Sequence, residues 1–401
     1  MAGSAVSDAH RREWAAVLAA TVRVTRDLDL AEECVQDAFA KALTTWGADG
    51  VPRNPAAWLT TTARNRALDL LRREATLRTK LPLLIEPPGE PDHDPFPDDR
   101  LRLIFTCCHP AIAPEAQVAL TLRLLCGLST AEVARGFLVS EPTMAARITR
   151  AKKKIAAARI PYRVPSAEDL PMRVDAVLAA LHLLFTTGHT APDGADLVRH
   201  DLVARALDLT RMLHGLLPLP EVTGLLALVV LTDARRAARV DARGKLLLLE
   251  EQDRLRWDKA AIAEGVALVR SALQAAPPGR YALQAAIAAV HADAARWEDT
   301  DWSEIVALYA LLEAQWPSPV VRLNRAVAVG FASGAAEGLL ALDALAAEPF
   351  LSTYHYLPAA RADFLRRLGQ VDAAREAYGE ALLLCTNVAE RRFLADRLSA
   401  L

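Results

Sequence analysis

Apolar side chains recur along this chain of 401 residues at intervals of three and four positions, the spacing that places them on one face of an α-helix. The alternation of apolar and polar positions that is typical of strands is absent from the sequence. The pattern predicts an all-α protein whose first helices cover 13–26, 31–43 and 56–78, followed by 100–105 and 114–125. In the second helix, Val35, Phe39 and Leu43 form one apolar stripe.

A pair of short helices is predicted within "LSTAEVARGFLVSEPTMAARITRAKKKI", residues 128–155. Ser129, followed three positions later by Glu132, is a capping-box pattern that opens a helix over 130–137. Residues 138–140 form a tight turn, and Ser140 can cap a second helix that has Pro142 in its first turn. This is the spacing of a helix-turn-helix motif.

The second helix of this pair carries residues suited to DNA. Its first two turns, where a recognition helix meets base edges, hold Thr143, Met144 and Arg147. Its later turns, where positive charge suits phosphate, hold Arg150, Lys152 and Lys153. The alternative is an ordinary solvated helical hairpin, because a run of basic residues is often only a charged surface.

Charge is almost balanced over the whole chain, with 47 Lys and Arg against 49 Asp and Glu, but the two parts differ. Residues 1–163 hold 23 basic against 19 acidic side chains, whereas residues 164–401 hold 24 against 30. Basic character is therefore local, and it concentrates in 64–80 and 147–163. The sequence shows no uninterrupted apolar run of membrane-spanning length and no secretory pattern at its start, so we expect a cytoplasmic protein without a membrane partner.

Five cysteines are scattered along the chain: Cys34, Cys107, Cys108, Cys126 and Cys385. Their odd number and the lack of a secretion signal argue against a disulfide framework. The "TCCHP" at 106–110 offers possible zinc ligands, but no second ligand pair follows at zinc-finger spacing. We interpret Cys107 and Cys108 as small buried residues at a helix end, and we expect neither a metal nor another cofactor.

Composition divides the chain into four segments. Residues 1–79 form a first helical domain, and residues 80–99 contain six prolines and six acidic residues, which is typical of an extended linker. Residues 100–163 form a second helical domain around the helix-turn-helix. Residues 170–401 are helical with short breaks, and Tyr309, Leu342 and Tyr378 occupy matching positions 33 and 36 residues apart, close to the tetratricopeptide period.

The helix predicted over 56–78 mixes an aromatic residue with polar and basic ones, namely Trp58, Thr61, Thr62, Asn65 and Arg66. Such a surface suits single-stranded nucleic acid, because bases stack on aromatic rings while polar and basic groups hold the backbone. Trp58 also has a plainer interpretation. Its neighbours Ala57 and Leu59 are apolar, so the ring can equally pack between helices.

The order of these features resembles the extracytoplasmic-function (ECF) sigma factors of bacterial RNA polymerase. "DLDLAEECVQDAFAKAL" is similar to the family's region 2.2, "NPAAWLTTTARNRALDLLRRE" to regions 2.3 and 2.4, and the helix-turn-helix to region 4.2. The resemblance implies two small helical sigma domains, region 2 and region 4, joined by the acidic linker. It also implies that Glu32, Gln36 and Asp37 contact core RNA polymerase, with its β′ and β subunits as partners; an ordinary solvated acidic face is the alternative.

Promoter DNA is the second partner that the resemblance implies. Minus-ten contacts are expected from Asn54, Trp58, Thr61, Thr62, Asn65, Arg66, Arg72 and Arg73. Minus-thirty-five contacts are expected from Thr143, Met144, Arg147, Arg150, Lys152 and Lys153, although Ala145 departs from the basic or polar residue of many relatives. In the acidic linker, Glu86, Glu90, Asp92 and Asp94 either imitate the charge of nucleic acid or belong to a plain spacer.

The C-terminal segment resembles the long helical, tetratricopeptide-like extension of one subgroup of these sigma factors. We expect it to regulate activity, through a protein regulator or by packing on the sigma domains, and we expect no enzymatic activity. A conventional helix-turn-helix regulator with a repeat-type sensor domain is the second hypothesis. A third makes this segment an enzyme that uses scattered groups, namely His182, His189, Asp193, Glu250 and His291.

Overall fold

The computed structural model describes residues 2–78, 98–137, 139–190, 199–241, 245–275 and 277–401. Within these ranges the regular secondary structure is helical, apart from one isolated bridge between Val240 and Leu246. The prediction of an all-α protein is confirmed. The chain folds as two compact units, 1–183 and 184–401.

The first unit contains the sigma-like segments. Its helices are α1 (Ala2–Thr25), α2 (Leu28–Asp49), α3 (Pro55–Arg78), α4 (Asp99–Cys107), α5 (Pro114–Leu124), α6 (Thr130–Gly136) and α7 (Glu141–Ala157). The first three pack on one another, and α4–α7 form the second bundle of the unit. α4 begins with Asp98 as its N-cap and Asp99 as its first residue, so these two acidic residues belong to the helix and not to the predicted linker. The rest of that linker, including Glu86, Glu90, Asp92 and Asp94, lies outside the described residues.

The buried stripe of α2 differs from the predicted one at its C-terminal end. Val35 and Phe39 are buried, as expected, but Leu43 is 53% exposed. The stripe continues instead through Ala42 and Trp46, both buried. Positions 35, 39, 42 and 46 are separated by steps of four, three and four, which follow the 3.6-residue period of the helix. Repeated steps of four residues move away from the buried face.

The second unit continues as a series of helices. α8 (Leu170–His189) contains the boundary between the units, and it is followed by α9 (His200–Leu216), α10 (Pro220–Asp233), α11 (Lys259–Ala275), α12 (Arg280–Asp293), α13 (Trp302–Gln315), α14 (Pro319–Ser333), α15 (Ala335–Asp343), α16 (Tyr356–Arg367), α17 (Val371–Leu384) and α18 (Val388–Ser399). α10 is central to the first half, because it packs on α9, α11 and α12 and ten consecutive residues of it are buried.

From α13 onwards, each helix packs on the next along the chain. Leu342 and Tyr378 are buried and Tyr309 is half-buried, so the three matching positions of the sequence face the interior. Gly330 in α14 and Gly338 in α15 make room for the ring of Phe364: a Cβ at either position would lie 2.1 Å or 2.6 Å from a ring carbon. Close packing of this kind holds consecutive helical hairpins in one stack.

Within the part of the chain that the structure describes, one helix is long and apolar enough to cross a membrane by length and composition. It is α8, and 39% of its most apolar window is buried within the fold. Core helices of globular proteins have the same properties, so this helix alone is weak evidence for a membrane span.

Four of the five cysteines are buried, and Cys126 is half-buried. Desolvation raises the pKa of Cys34 and of Cys108 to about 11, and it raises the pKa of Cys107 well above its ordinary value. Cys107 and Cys108 have side chains that are 0% exposed, in agreement with the interpretation of "TCCHP" as buried residues.

Alkylation of the native protein should therefore be selective. At mildly alkaline pH we expect iodoacetamide to modify Cys126 at least about tenfold faster than the other four, because only an accessible thiolate reacts. Mass spectrometry of timed samples measures this, and urea-unfolded protein, in which all five should react alike, is the control. Early labelling of Cys107 or Cys108 would contradict the packing of α4 on α5.

Candidate nucleic-acid and polymerase interfaces

The two short helices predicted from the capping patterns are present. In α6, the backbone N–H of Glu132 donates to Ser129 Oγ at 3.2 Å, and the Ser129 N–H donates to Glu132 Oε2 at 2.7 Å. In α7, Ser140 Oγ accepts from the Thr143 N–H at 3.4 Å, and Pro142 lies in the first turn. These caps fix where α7 begins, and hence which side chains its first turns present.

The basic helix α7 has one buried face and one exposed face. Its buried residues are Met144, Ile148, Ala151 and Ile155, at helical spacing. Thr143, Arg150 and Lys153 are exposed. Arg147 is half-buried, with its guanidinium 5.7 Å from the centre of the Phe137 ring. Met144, which we expected at base edges, is 0% exposed and packs in the core of the helix pair.

The candidate minus-ten residues line α3 and its N-terminus. Exposed side chains are Asn54, Thr61, Asn65, Arg72 and Arg73, and half-buried ones are Trp58, Thr62 and Arg66. Asn54 Oδ1 accepts from the Ala57 N–H at 3.0 Å, so this side chain caps the helix. The remaining exposed positions form a polar and basic surface along α3.

Two of the half-buried residues on α3 have partners on α2. The Trp58 ring meets the edge of the buried Trp46 ring, with centroids 5.6 Å apart. Arg66 Nε donates to Asp37 Oδ2 at 2.8 Å, and this hydrogen bond raises the pKa of the guanidinium. Trp58 therefore contributes to packing while part of its ring stays accessible. Asp37, expected to contact polymerase, is paired within the first bundle.

Glu32, the central residue of the acidic face of α2, is 5% exposed and lies against basic residues of the other bundle. Lys152 Nζ of α7 donates to Glu32 Oε2 at 2.9 Å and to Asp29 Oδ1 at 2.6 Å. Arg123 of α5 forms an ion pair with Glu32 Oε1. We call Asp29, Glu32, Arg123 and Lys152 the interdomain ion cluster.

Glu32, which we expected to contact polymerase, thus forms an ion pair with Lys152, which we expected to contact DNA phosphate. The two are 120 positions apart in sequence, and the first lies on α2 and the second on α7. The side chains of Glu32, Lys152 and Arg123 are 7%, 11% and 17% exposed. Buried charges require such partners, because an unpaired charge away from water is costly.

A cleft of about 260 Å³ opens beside the cluster. Its lining combines acidic and amide groups of α2 with residues of α5, α6 and α7: Asp29, Glu32, Glu33, Gln36, Arg123, Thr130, Ala145, Ile148, Thr149 and Lys152. Gln36 and Asp37 are exposed, in contrast to Glu32. The expected polymerase surface is therefore only partly accessible in this conformation.

Further contacts join the two bundles away from the ion cluster. The indole N–H of Trp14 in α1 donates to the Leu124 carbonyl at 3.0 Å, and Trp14 is 3% exposed. Gly127 approaches the same ring so closely that a Cβ there would lie 2.9 Å from Trp14 Cγ. The Tyr162 hydroxyl donates to the Ala19 carbonyl at 2.8 Å. The packing of the two bundles thus rests on apolar contacts and hydrogen bonds as well as on charges.

Sequence reasoning missed Arg123 and Trp14 as functional residues. Neither lies in a local motif, and nothing in the sequence near Arg123 or Trp14 indicates a partner on the other bundle. Trp14 and the carbonyl that it binds are 110 positions apart. Only the fold brings these groups together.

The histidines and acids considered for an enzyme lie in separate contacts. His189 Nδ1 lies 2.8 Å from Arg239 Nη1, His291 packs against the Trp302 ring, and Glu250 pairs with Arg367 at 3.0 Å. Burial, together with nearby arginines, lowers the pKa of His189 and of His291 to about 3, so both rings stay neutral. Asp193 lies outside the described residues.

Comparison with known proteins gives three family matches. Residues 10–76 match sigma-70 region 2, and residues 102–155 match sigma-70 region 4. Residues 173–273 match a family of unknown function, DUF6596. No solved structure matches the chain.

One full-length relative is similar along nearly the whole chain. An uncharacterized protein of Rhizobium meliloti (strain 1021) is 43% identical over 395 residues, which cover 96% of this chain and 93% of the relative. The similarity therefore spans both sigma-70 matches and the C-terminal segment of this chain. The chain belongs to the sigma-70 family, as an ECF-like factor with a helical C-terminal extension.

Proposed function

We propose that the chain is a sigma factor that binds core RNA polymerase and directs promoter-specific initiation, with the C-terminal extension regulating this activity. Sigma-70 regions 2 and 4 already support a role in transcription initiation, and factors of this family are in general cytoplasmic and not enzymes. The observation that carries the proposal is that α3 and α7, each within a sigma-70 match, expose polar and basic side chains.

Promoter contacts are assigned by exposure. On α7, Thr143 and Arg147 are the candidates for base readout, while Met144 supports the helix from inside. Arg150 and Lys153 are free to face phosphate, and Lys152 becomes available once it leaves Glu32. On α3, the minus-ten set is Asn65, Thr61, Arg72 and Arg73, joined by Thr62, Arg66 and Trp58 at the edge of the packed face.

Polymerase binding is assigned to Glu32, Gln36 and Asp37 on α2. We propose that the packing of α2 against α5 and α7 is a closed, resting form. Glu32 cannot meet a basic surface of polymerase while Arg123 and Lys152 occupy it. Opening frees an acid for polymerase and a lysine for DNA in a single step, so the two partners favour the same open form.

Run-off transcription tests the proposal. Core polymerase with the full-length protein should produce transcripts from randomised promoter templates that core polymerase alone does not produce. Arg147→Ala with Arg150→Ala should reduce them roughly 5- to 150-fold, since a bidentate arginine–guanine contact contributes about 1–3 kcal/mol. Arg270→Ala, an exposed arginine on α11, is the matched control and should leave the yield unchanged.

A different outcome would favour the second hypothesis. If core polymerase neither binds the protein nor initiates with it, while the protein alone shifts duplex DNA, the chain acts as a conventional regulator.

A version truncated after Arg163 separates the role of the sigma domains from that of the C-terminal extension in the transcription assay. Lower activity than full length means that the extension activates, and higher activity means that it restrains.

A further inference from the structure

Three potential metal ligands from separate places in the sequence meet at the C-terminal end of the second unit. His355 precedes α16, Cys385 follows α17, and Glu390 lies in the first turn of α18. Their ligand atoms all lie within 4.8 Å of one another. Cys385 and Glu390 are buried, and His355 is half-buried.

The separations match a small divalent ion. His355 Nε2 lies 3.3 Å from Glu390 Oε2, and Cys385 Sγ lies 4.0 Å from the same oxygen. Donors around a tetrahedral zinc ion, with metal–nitrogen and metal–oxygen bonds near 2.0 Å and metal–sulfur bonds near 2.3 Å, lie roughly 3.3–3.6 Å apart. The nitrogen and oxygen are thus already in place. The sulfur lies 4.0 Å from the oxygen and within 4.8 Å of the nitrogen, so it has to move inwards to complete the set.

The ligands are held by neighbouring groups. The Tyr356 hydroxyl donates to Glu390 Oε1, leaving Oε2 turned towards His355. The Asn387 side chain caps α18 and accepts from the Glu390 N–H at 3.1 Å, and Arg391 binds the Cys385 carbonyl at 2.8 Å. Outer hydrogen bonds of this kind orient ligands in metal sites.

Glu390 is an acidic side chain in a largely buried position. Its side chain is 9% exposed, and among the described residues its basic partner within 4 Å is His355, while Arg239 acts on it only through electrostatics over a longer distance. His355 Nε2 is a buried atom that makes no hydrogen bond. An acceptor oxygen and an imidazole nitrogen that face each other at 3.3 Å need either a proton or a metal ion between them.

We propose that His355, Cys385 and Glu390 bind a divalent transition metal of the zinc class, with water completing the coordination. A set of one nitrogen, one sulfur and one oxygen suits zinc, whereas magnesium and calcium prefer oxygen alone. The ion ties together the segments that precede α16, follow α17 and begin α18. It therefore stabilises the last helical hairpin of the chain, independently of whether the protein acts as a sigma factor.

Cobalt titration of the full-length protein tests this site. After removal of metal with a chelator, one equivalent of Co²⁺ should produce visible bands of a tetrahedral ion and the near-ultraviolet band of a cobalt–thiolate bond. Zn²⁺ should displace it and raise the melting temperature, whereas Mg²⁺ should do neither. Cys385→Ser should abolish the thiolate band, and His355→Gln should weaken binding at least tenfold.

The matched control is Cys126→Ser, which removes a half-buried thiol in the first unit and should leave the spectrum unchanged. A thiolate band that survives Cys385→Ser would place the metal elsewhere and overturn the proposal. If the substituted proteins fail to fold, the wild-type titration still decides. Absence of the thiolate band at one equivalent of Co²⁺ then means that Cys385 does not bind the metal, which overturns the proposal.

Discussion

Replacing Glu32 with glutamine is expected to loosen the packing of α7 on α2 by about 3 kcal/mol, because removal of one member of a buried ion pair leaves its partners uncompensated. Glutamine preserves the size of the side chain, so the loss reports on charge. Amide hydrogen exchange of α7 in the full-length protein should then accelerate roughly 100-fold, at 1.4 kcal/mol per factor of ten.

The neighbouring Glu33 provides the matched control. It is exposed on the same helix, so Glu33→Gln removes the same charge without touching the cluster and should leave the exchange of α7 unchanged. Equal rates in the Glu32→Gln protein and the wild type would show that the ion cluster does not hold the closed form. The contacts of Trp14 and Tyr162 would then be the ones that stabilise the closed form.

A second substitution separates opening from the loss of the proposed polymerase contact. Lys152→Met should also open the packing, yet it retains Glu32. We therefore expect Lys152→Met to bind core polymerase more tightly than the wild type and Glu32→Gln to bind more weakly. If Lys152→Met gains no affinity, the closed form does not compete with polymerase.

The cluster should persist throughout the neutral pH range. Burial by itself lowers the pKa of Lys152, but hydrogen bonds to Asp29 and Glu32 outweigh it and raise the pKa above its ordinary value of 10.5. The contribution of the lysine is therefore fully present below that ordinary value. It is lost only as the pH rises through the higher value of the folded state.

Phe364→Ala is expected to destabilise the C-terminal stack by about 3–5 kcal/mol, the usual cost of deleting a buried aromatic ring. Phe364 is 2% exposed, and its ring lies over the two glycines of α14 and α15. No side chain at Gly330 or Gly338 can fill the space that alanine leaves. Hydrogen exchange of α14 and α16 should accelerate, whereas that of α2 should remain at its wild-type rate.

The matched control is Leu383→Ala on α17, where the side chain is 87% exposed. This substitution should change the free energy of unfolding by no more than about 0.5 kcal/mol. Unchanged exchange in α14 after Phe364→Ala would show that the hairpins fold independently of this contact. Run-off transcription with the same protein then measures how far the proposed regulation depends on an intact stack.

The sequence predicts the helices well because their signals are local. The capping residues Ser129 and Ser140 place the starts of α6 and α7 at the residues where the structure has them. Helix boundaries without a capping pattern were less predictable. α1 begins at Ala2, well before the expected residue 13. The alanines and small polar residues before residue 13 show little apolar periodicity. The exposed Leu43 shows the same limit, since an apolar residue at nearly the right spacing need not face the core.

The residues expected to contact polymerase and those expected to contact DNA were predictable from the sequence, but their positions relative to one another were not. Local pattern and family resemblance indicated Glu32 and Lys152, and both were expected to face solvent. Their pairing depends on how two bundles dock, which is decided by contacts such as Trp14 with Leu124, over 110 positions of sequence. Likewise, Met144 looks accessible in a linear reading, and only the crossing of α7 over its neighbours buries it.

Substitutions at Gly127 should reveal the closed form in a genetic experiment. It adopts φ +68°, where side chains are strained, and a Cβ would also lie 2.8 Å from His10 and 2.9 Å from Trp14. Every missense allele at this codon therefore disturbs the docking of the bundles, whereas alleles at the charged positions do so only when the charge is lost. A selection for raised transcription should accordingly recover substitutions at codon 127 repeatedly, with chemically unrelated replacements sharing one phenotype.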